Sequence, residues 1–307
     1  VDWLKKNKKD RFFIWLYFFG AHGPYNTPPA YQKLFYDDQP VKIEKHLPIA
    51  VNADEVFGVI PNYIAEPGKT GINYYISQYD RKIRFVDEQV GLIFDWLKKD
   101  GLDKNTLIIL MADHGESLGE HGLYFDHAKT LYDELLKVPL IIHFPKIRLN
   151  NKKIRQQVRL MDVVPTIVDM LNINKKKIPV NFDGVSFKAC ILDGKCNMPK
   201  YVFSKSWFLF SIRTETNKLI YRGQKIPNEY ELYDIKNDPG EIKNIIIEEE
   251  GLFEELKQKL GRYVTNSKIE QSKIKARLKD NGYLKEDKID PANDEARNSL
   301  KRLGYMQ

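Results

Sequence analysis

The chain's 307 residues, 42% of them hydrophobic and 12% aromatic, are enough to build one large core, or a large domain with a smaller one attached. No run approaches the roughly 18 consecutive apolar residues of a membrane span. The net charge of +7 comes from 49 basic and 42 acidic residues scattered along the chain, which describes a solvated, lysine-rich surface and argues against a nucleic-acid stripe. No signal peptide is visible, but the chain opens at Val1 inside what reads as the end of a helix, so that absence carries little information about targeting.

In chain order, Phe12 to Phe19 is a continuous aromatic and β-branched run, expected as a strand buried on both faces. A proline-rich loop follows, from His22-Gly-Pro-Tyr25 to Pro28-Pro29. Tyr79 to Lys99 carries Ile83, Val86, Val90, Ile93 and Leu97 at alternating spacings of three and four, the stripe of an amphipathic helix stopped by Gly101. Thr106 to Ala112 is a second expected buried strand. A short helix over Thr130 to Leu136 follows, with Thr130 and Asp133 spaced as a capping box. Val138 to Phe144 is a further strand closed by Pro145, and Asp162 is expected to cap a helix that turns Ile167, Val168 and Leu171 inward. This order of strands and helices predicts an α/β fold with a mostly parallel sheet between helices. Cys190 and Cys196 flank Asp193-Gly194, where they could pair across the turn or stay free; pairing is the favoured reading.

The pattern changes near residue 196. Short strands at Tyr201 to Ser204, Trp207 to Thr214, Lys218 to Tyr221 and Tyr230 to Ile235 predict a small antiparallel sheet, followed by a helix with Leu252, Phe253, Leu256 and Leu260. From Ser267 to Ala292 the chain is charged and poor in core residues, a tail anchored at its end by Leu300, Leu303 and Tyr305. The expected division is residues 1–195, 196–266 and a tail over 267–307 with a terminal helix.

The densest chemistry lies in Met111-Ala-Asp-His-Gly-Glu-Ser-Leu-Gly-Glu-His-Gly122. Asp113 and His114 stand where a strand ends, the edge at which α/β sheets bind ligands. A hard carboxylate oxygen beside an imidazole nitrogen makes a metal corner, and Gly115 is expected to let the backbone turn away. Taken alone, Asp113 reads equally as a cap and His114 as a buried hydrogen-bonded histidine. His22, His127 and Lys129 also fall on strand-to-helix loops; singly they read as loop filler, a cap and a solvated lysine. Together they could neutralise a tetrahedral anion and assist its leaving oxygen.

These stretches, in this order, resemble the sulfatase branch of the alkaline phosphatase superfamily. The resemblance rests on His22-Gly-Pro-Tyr25, Tyr79 to Gly91, Asp113-His-Gly-Glu116, Leu131-Tyr-Asp-Glu134 with Val138-Pro-Leu-Ile-Ile142, and Asp162-Val-Val-Pro-Thr166. It continues through Glu231 to Pro239 with Glu241 and Asn244, and ends at Leu303-Gly-Tyr305. It implies an alkaline phosphatase-like fold. It also implies that Asp113 and His114 are the second pair of metal ligands and that His22 binds the sulfate or phosphate group. Where many members carry a lysine, this chain has Ala128; His127 is the preferred substitute and Lys129 the alternate. The implied ion is calcium, with manganese or zinc permitted by the histidine ligand, and the implied substrate is a small-molecule or glycan sulfate ester.

The family's Cys/Ser-x-Pro-x-Arg nucleophile motif, source of formylglycine, is absent, as is the first aspartate pair; both are expected upstream of Val1. Cys196-Asn-Met-Pro-Lys200 has the wrong spacing, lacks the arginine and follows the metal corner, so it is rejected as nucleophile. The resulting expectation is a sulfuric ester hydrolase whose chain, as given, is inactive alone. Related phosphodiesterases, phosphonate hydrolases and phosphoethanolamine- or lipoteichoic-acid-type transferases share the frame. A non-catalytic binding module that kept the fold is the reading from another class.

Overall fold

The computed structural model describes residues 2–35, 44–52, 55, 57–147, 152–178, 181–192, 194–223 and 229–280. Chain order gives α1 (Asp2–Asn7), α2 (Ile72–Lys99), β1 (Ile108–Met111), β2 (Ser117–Leu118), β3 (Tyr124–Asp126), α3 (Asp133–Leu136), β4 (Leu140–His143), α4 (Val163–Met170) and α5 (Lys188–Leu192). A sheet of β5 (Val202–Ser206), β6 (Leu209–Arg213), β7 (Lys218–Tyr221) and β8 (Tyr230–Tyr233) follows, and α6 (Glu250–Asp280) closes the described chain.

The front sheet departs from expectation. β1 pairs with β4 in antiparallel register, Ile108 opposite His143 and Met111 opposite Leu140, and no parallel ladder between named strands occurs among the described residues. The reason lies in the connection. No crossover helix carries the chain back to the start of the sheet; it runs through the β2–β3 hairpin and the one-turn α3, which return it in the opposite direction. Phe12 to Phe19 is not a buried strand either. It carries no ladder among the described residues, and Phe13 is 75% exposed and Trp15 64%. Its apolar pattern is that of a central strand, and such a strand needs neighbours on both edges that the described residues do not supply.

The helix expected from Tyr79 begins earlier, at Ile72. Its first turns bury Tyr75, Ser77, Gln78 and Arg81, whose polar ends are satisfied locally. Tyr75 donates to Lys69 O (2.9 Å), and the Arg81 guanidinium donates to Leu34 O (2.7 Å) and to Gln78 Oε1 (3.1 Å). Aromatic and polar residues that look loop-like in sequence are therefore core here. The later stripe packs less deeply than predicted: Leu97 is buried, but Ile83 is exposed. The helix ends where Gly101 takes a left-handed φ of 69°.

Two expected caps are replaced by longer-range contacts. Thr130 does not cap α3; the Asp133 amide donates instead to Glu241 Oε2 (2.6 Å), far along the chain. Asp162 makes no side-chain cap to α4. Its buried carboxylate accepts from the Arg159 amide (2.8 Å) and guanidinium (2.7 Å) and from the Val185 amide (2.8 Å), pinning two loops together. Val168 turns inward on α4 as expected, while Leu171 is exposed. Cys190 and Cys196 are joined by a disulfide, S–S 1.99 Å.

The C-terminal sheet follows its sequence closely, with strand order β5-β6-β7-β8, all antiparallel. Ile212, Leu219 and Leu232 pack against Leu256 and Leu260 of α6. The helix runs on to Asp280, so residues 267–280 are helical and not the start of an irregular tail. Leu300, Leu303, Tyr305 and the expected terminal helix lie outside the described residues.

Candidate active site

The site gathers at the end of β1. Two residues beyond Met111, Asp113 and His114 bring a carboxylate Oδ1 and an imidazole Nε2 to 3.9 Å of one another. The other Asp113 oxygen, Oδ2, accepts from Tyr17 (3.0 Å), and the Phe19 ring lies 5.8 Å from that of His22, so the exposed Phe12–Phe19 segment reaches the site. Burial alone would raise the Asp113 pKa; the neighbouring His114 charge and the Tyr17 bond outweigh it and hold the carboxyl below its ordinary value.

His114 Nδ1 lies 2.7 Å from Gly115 O. A carbonyl can only accept, so Nδ1 carries a proton, which leaves Nε2, on the Asp113 side, as the nitrogen a metal could use. Gly115 contributes by close approach, not by a reversed φ. A Cβ there would sit 1.9 Å from Glu134 O, and its amide donates to Leu135 O (2.8 Å). The Asp-His corner is thus pressed directly onto α3.

His127 lies just past β3, between two residues with left-handed backbone nearby, Phe125 (φ 54°) and Ala128 (φ 67°). Its ring stacks on His114 with centroids 4.0 Å apart and meets His22 edge-on at 5.3 Å. Its Nδ1 faces Glu116 Oε1 at 3.2 Å, and the buried Glu116 also accepts from Tyr25 (3.0 Å). Burial disfavours the His127 imidazolium, but the bond to Glu116 and the charges of Glu116, Asp126 and Asp113 prevail and raise its pKa. His22 follows a short 3₁₀ turn instead of the buried strand expected before it, and its Nδ1 likewise faces a carbonyl, Gly23 O, at 2.7 Å.

Of the residues singled out in sequence, His22, Asp113, His114 and His127 therefore come together. Lys129 turns toward the C-terminal sheet, its Nζ 5.9 Å from the Trp207 ring centroid. Tyr17 is a neighbour of the site that the sequence pattern does not mark, and Tyr25 and Glu116 are marked there only as parts of motifs. A carboxylate two residues after the corner, spaced to reach the His127 loop, was the available signal for Glu116. Asp113 and His114 fit two corners of a divalent-ion site; among the described residues no group of three or more His, Cys, Asp or Glu side chains completes one.

A carboxylate and an imidazole at a strand end thus stand beside two further histidines. The sulfatase family's sequence model matches residues 1–173, and that of the N-sulphoglucosamine sulphohydrolase C-terminal region matches residues 119–269. The chain belongs to the sulfatase family. It is 31% identical over 195 residues to an N-acetylglucosamine-6-O-sulfatase of Bacteroides thetaiotaomicron, covering 58% of this chain and 34% of that one. It is 26% identical over 268 residues to an arylsulfatase of Clostridium perfringens, covering 81% and 52%. A solved structure in complex with its substrate D-glucosamine-2-N,6-O-disulfate matches with TM-score 0.53 and 28% identity, covering 64% of this chain and 42% of that one. The chain thus spans between a third and about half of these two curated relatives' length.

Proposed function

We propose that this chain forms the metal-corner and sulfate-binding part of a sulfuric ester hydrolase acting on a sulfated saccharide or a small sulfate ester. The observation that carries the reading is the convergence of Asp113, His114, His127 and His22 at one strand end, with ring centroids 4.0 and 5.3 Å apart. The similarity to a glucosamine sulfatase and to a structure holding a disulfated glucosamine supports the saccharide class.

Asp113 and His114 would hold a divalent ion, calcium first and manganese or zinc next, together with ligands from outside the described residues. When bound, that ion supplies positive charge against the ester oxygens. His127, oriented by the contact of its Nδ1 with Glu116, would donate from Nε2 to a sulfate oxygen or to the departing alkoxide. His22 approaches the same anion from the other side. Cys196 is committed to its disulfide, which removes the one local imitation of a nucleophile motif. The Cys/Ser-x-Pro-x-Arg motif that supplies the family's formylglycine is absent from this sequence.

Two measurements test the reading. Calorimetric titration with calcium and with manganese should show binding that Asp113→Asn weakens at least about tenfold; equal affinity in the variant removes Asp113 from the metal corner. An aryl sulfate assay of the chain alone should show no turnover. Turnover would mean that a nucleophile is present here after all.

A further inference from the structure

The hairpin joining β5 to β6 pairs Ser206 with Leu209, leaving a two-residue turn made of Trp207 and Phe208. Such turns favour glycine or asparagine, because a positive φ crowds any Cβ. Here Trp207 takes φ 48°, and both aromatics face solvent, Trp207 52% and Phe208 79% exposed. A strained turn built from two exposed aromatics is the kind of outlier that points to function.

The turn is tied to the candidate site. Ser206 Oγ donates to Ala128 O (2.6 Å), fixing the hairpin on the residue directly after His127. Ala128 itself has φ 67°, so the loop that aims His127 and the hairpin that carries Trp207 are locked at one point. On the other side of Ala128, Lys129 extends its ammonium over the indole at 5.9 Å. A cation two residues after His127 and the broad apolar face it meets are thus both tied to the His127 loop.

Resting on the proposed sulfatase reading, we propose that Trp207 is a specificity-determining platform that stacks on the pyranose ring of a sulfated saccharide. Its ester sulfate would sit at His127, and Lys129 would meet a second anionic substituent on the sugar. A pyranose has one C–H face that lies flat on an indole and hydroxyls at its rim that stay in water, which suits an aromatic open on one side. A purely aryl group would call for an enclosed apolar slot instead.

Ligand-observed NMR titration of the full chain with inorganic sulfate and with D-glucosamine 6-sulfate tests this. In Trp207→Ala the ratio of the sugar-sulfate to the inorganic-sulfate affinity should fall about tenfold, the loss expected when one aromatic stacking partner is removed. Trp207→Phe should retain part of the ratio, and Phe208→Ala should leave it unchanged. If sulfate binds in a His127-dependent manner but Trp207→Ala keeps the ratio, the platform is overturned and the anion site stands. If sulfate binding is indifferent to His127→Ala, the anion site fails and the platform fails with it. A ratio that falls for 4-nitrophenyl sulfate but not for the sugar would make Trp207 an aryl contact and overturn the saccharide assignment.

Discussion

The two sheets of the molecule differ in how far their own neighbours finish them. In the C-terminal sheet Ile212, Leu219, Leu232 and, on α6, Leu256 are fully buried, while Ile220 and Tyr233 on the other face pack with Leu131 and Tyr132. Both faces are covered. In the front sheet every residue of β1 is only half-buried, Ile141 of β4 is 60% exposed, and the aromatic segment beside the site lies open. The chemistry thus hangs on the less finished sheet and is steadied from behind by the more finished one. The contact is a charged seam: Lys218, wholly buried, pairs with Asp133 (2.8 Å) and Glu241 (2.6 Å), and Arg213 also reaches Asp133. Tyr132 and Arg222 meet Glu231, each at 2.7 Å.

The comparison breaks most easily at Lys218. Lys218→Met leaves Glu241 buried without its cation and Asp133 with Arg213 alone, and should cost about 3–5 kcal/mol. Ile141→Ser, on the open face of the front sheet, should change stability by no more than about 0.5 kcal/mol. Urea unfolding of the two variants measures both. Similar losses would mean that the front sheet is packed as tightly as the rear, against the contrast drawn here.

The same contrast explains what could be read from sequence. The C-terminal strands were legible nearly to the residue, because each alternates or runs apolar between turn residues and pairs with the next in order. The front sheet's direction was not, since a strand-helix-strand pattern does not reveal whether a short hairpin reverses the chain. The Asp113-His114 corner and the histidine loops stood out by residue type and position. Glu116 and Tyr17 did not, because their importance comes from a partner far along the chain. The Tyr132-Asp-Glu134 and Glu231 to Glu241 motifs were recognised as family marks; their physical content, a seam between the two halves, appears only when Asp133 and Glu241 are seen on the same lysine.

Gly115 is the next point of leverage. An alanine there would place its Cβ 1.9 Å from Glu134 O, so β1's end must back away from α3. The expected cost is about 1–3 kcal/mol of stability. The accompanying displacement should also lower divalent-ion affinity, because Asp113 and His114 move with the backbone. Gly115→Ala with wild-type ion affinity by calorimetry would show that the corner does not depend on its seat against α3.

The smallest effect expected is a dependence of stability on pH through His121. Its Nδ1 meets Glu134 at 3.0 Å, its Nε2 meets Glu241 O at 3.1 Å, and its ring lies 3.5 Å from that of Tyr132. Burial opposes the imidazolium, but Glu134 and the Glu241 carbonyl and carboxylate outweigh it, and the pKa is raised. Both ring nitrogens face acceptors, which only the doubly protonated ring satisfies. A raised folded-state pKa means that the contribution is fully present below the unfolded value of about 6.5 and is lost as pH rises through the folded one. Thermal unfolding of the wild-type chain should therefore show a Tm that declines above neutrality relative to His121→Gln, in which this titration is gone. Parallel Tm profiles for the two proteins would mean that the seam holds through Lys218 and Asp133 alone, and that His121 fills space between the halves without joining them.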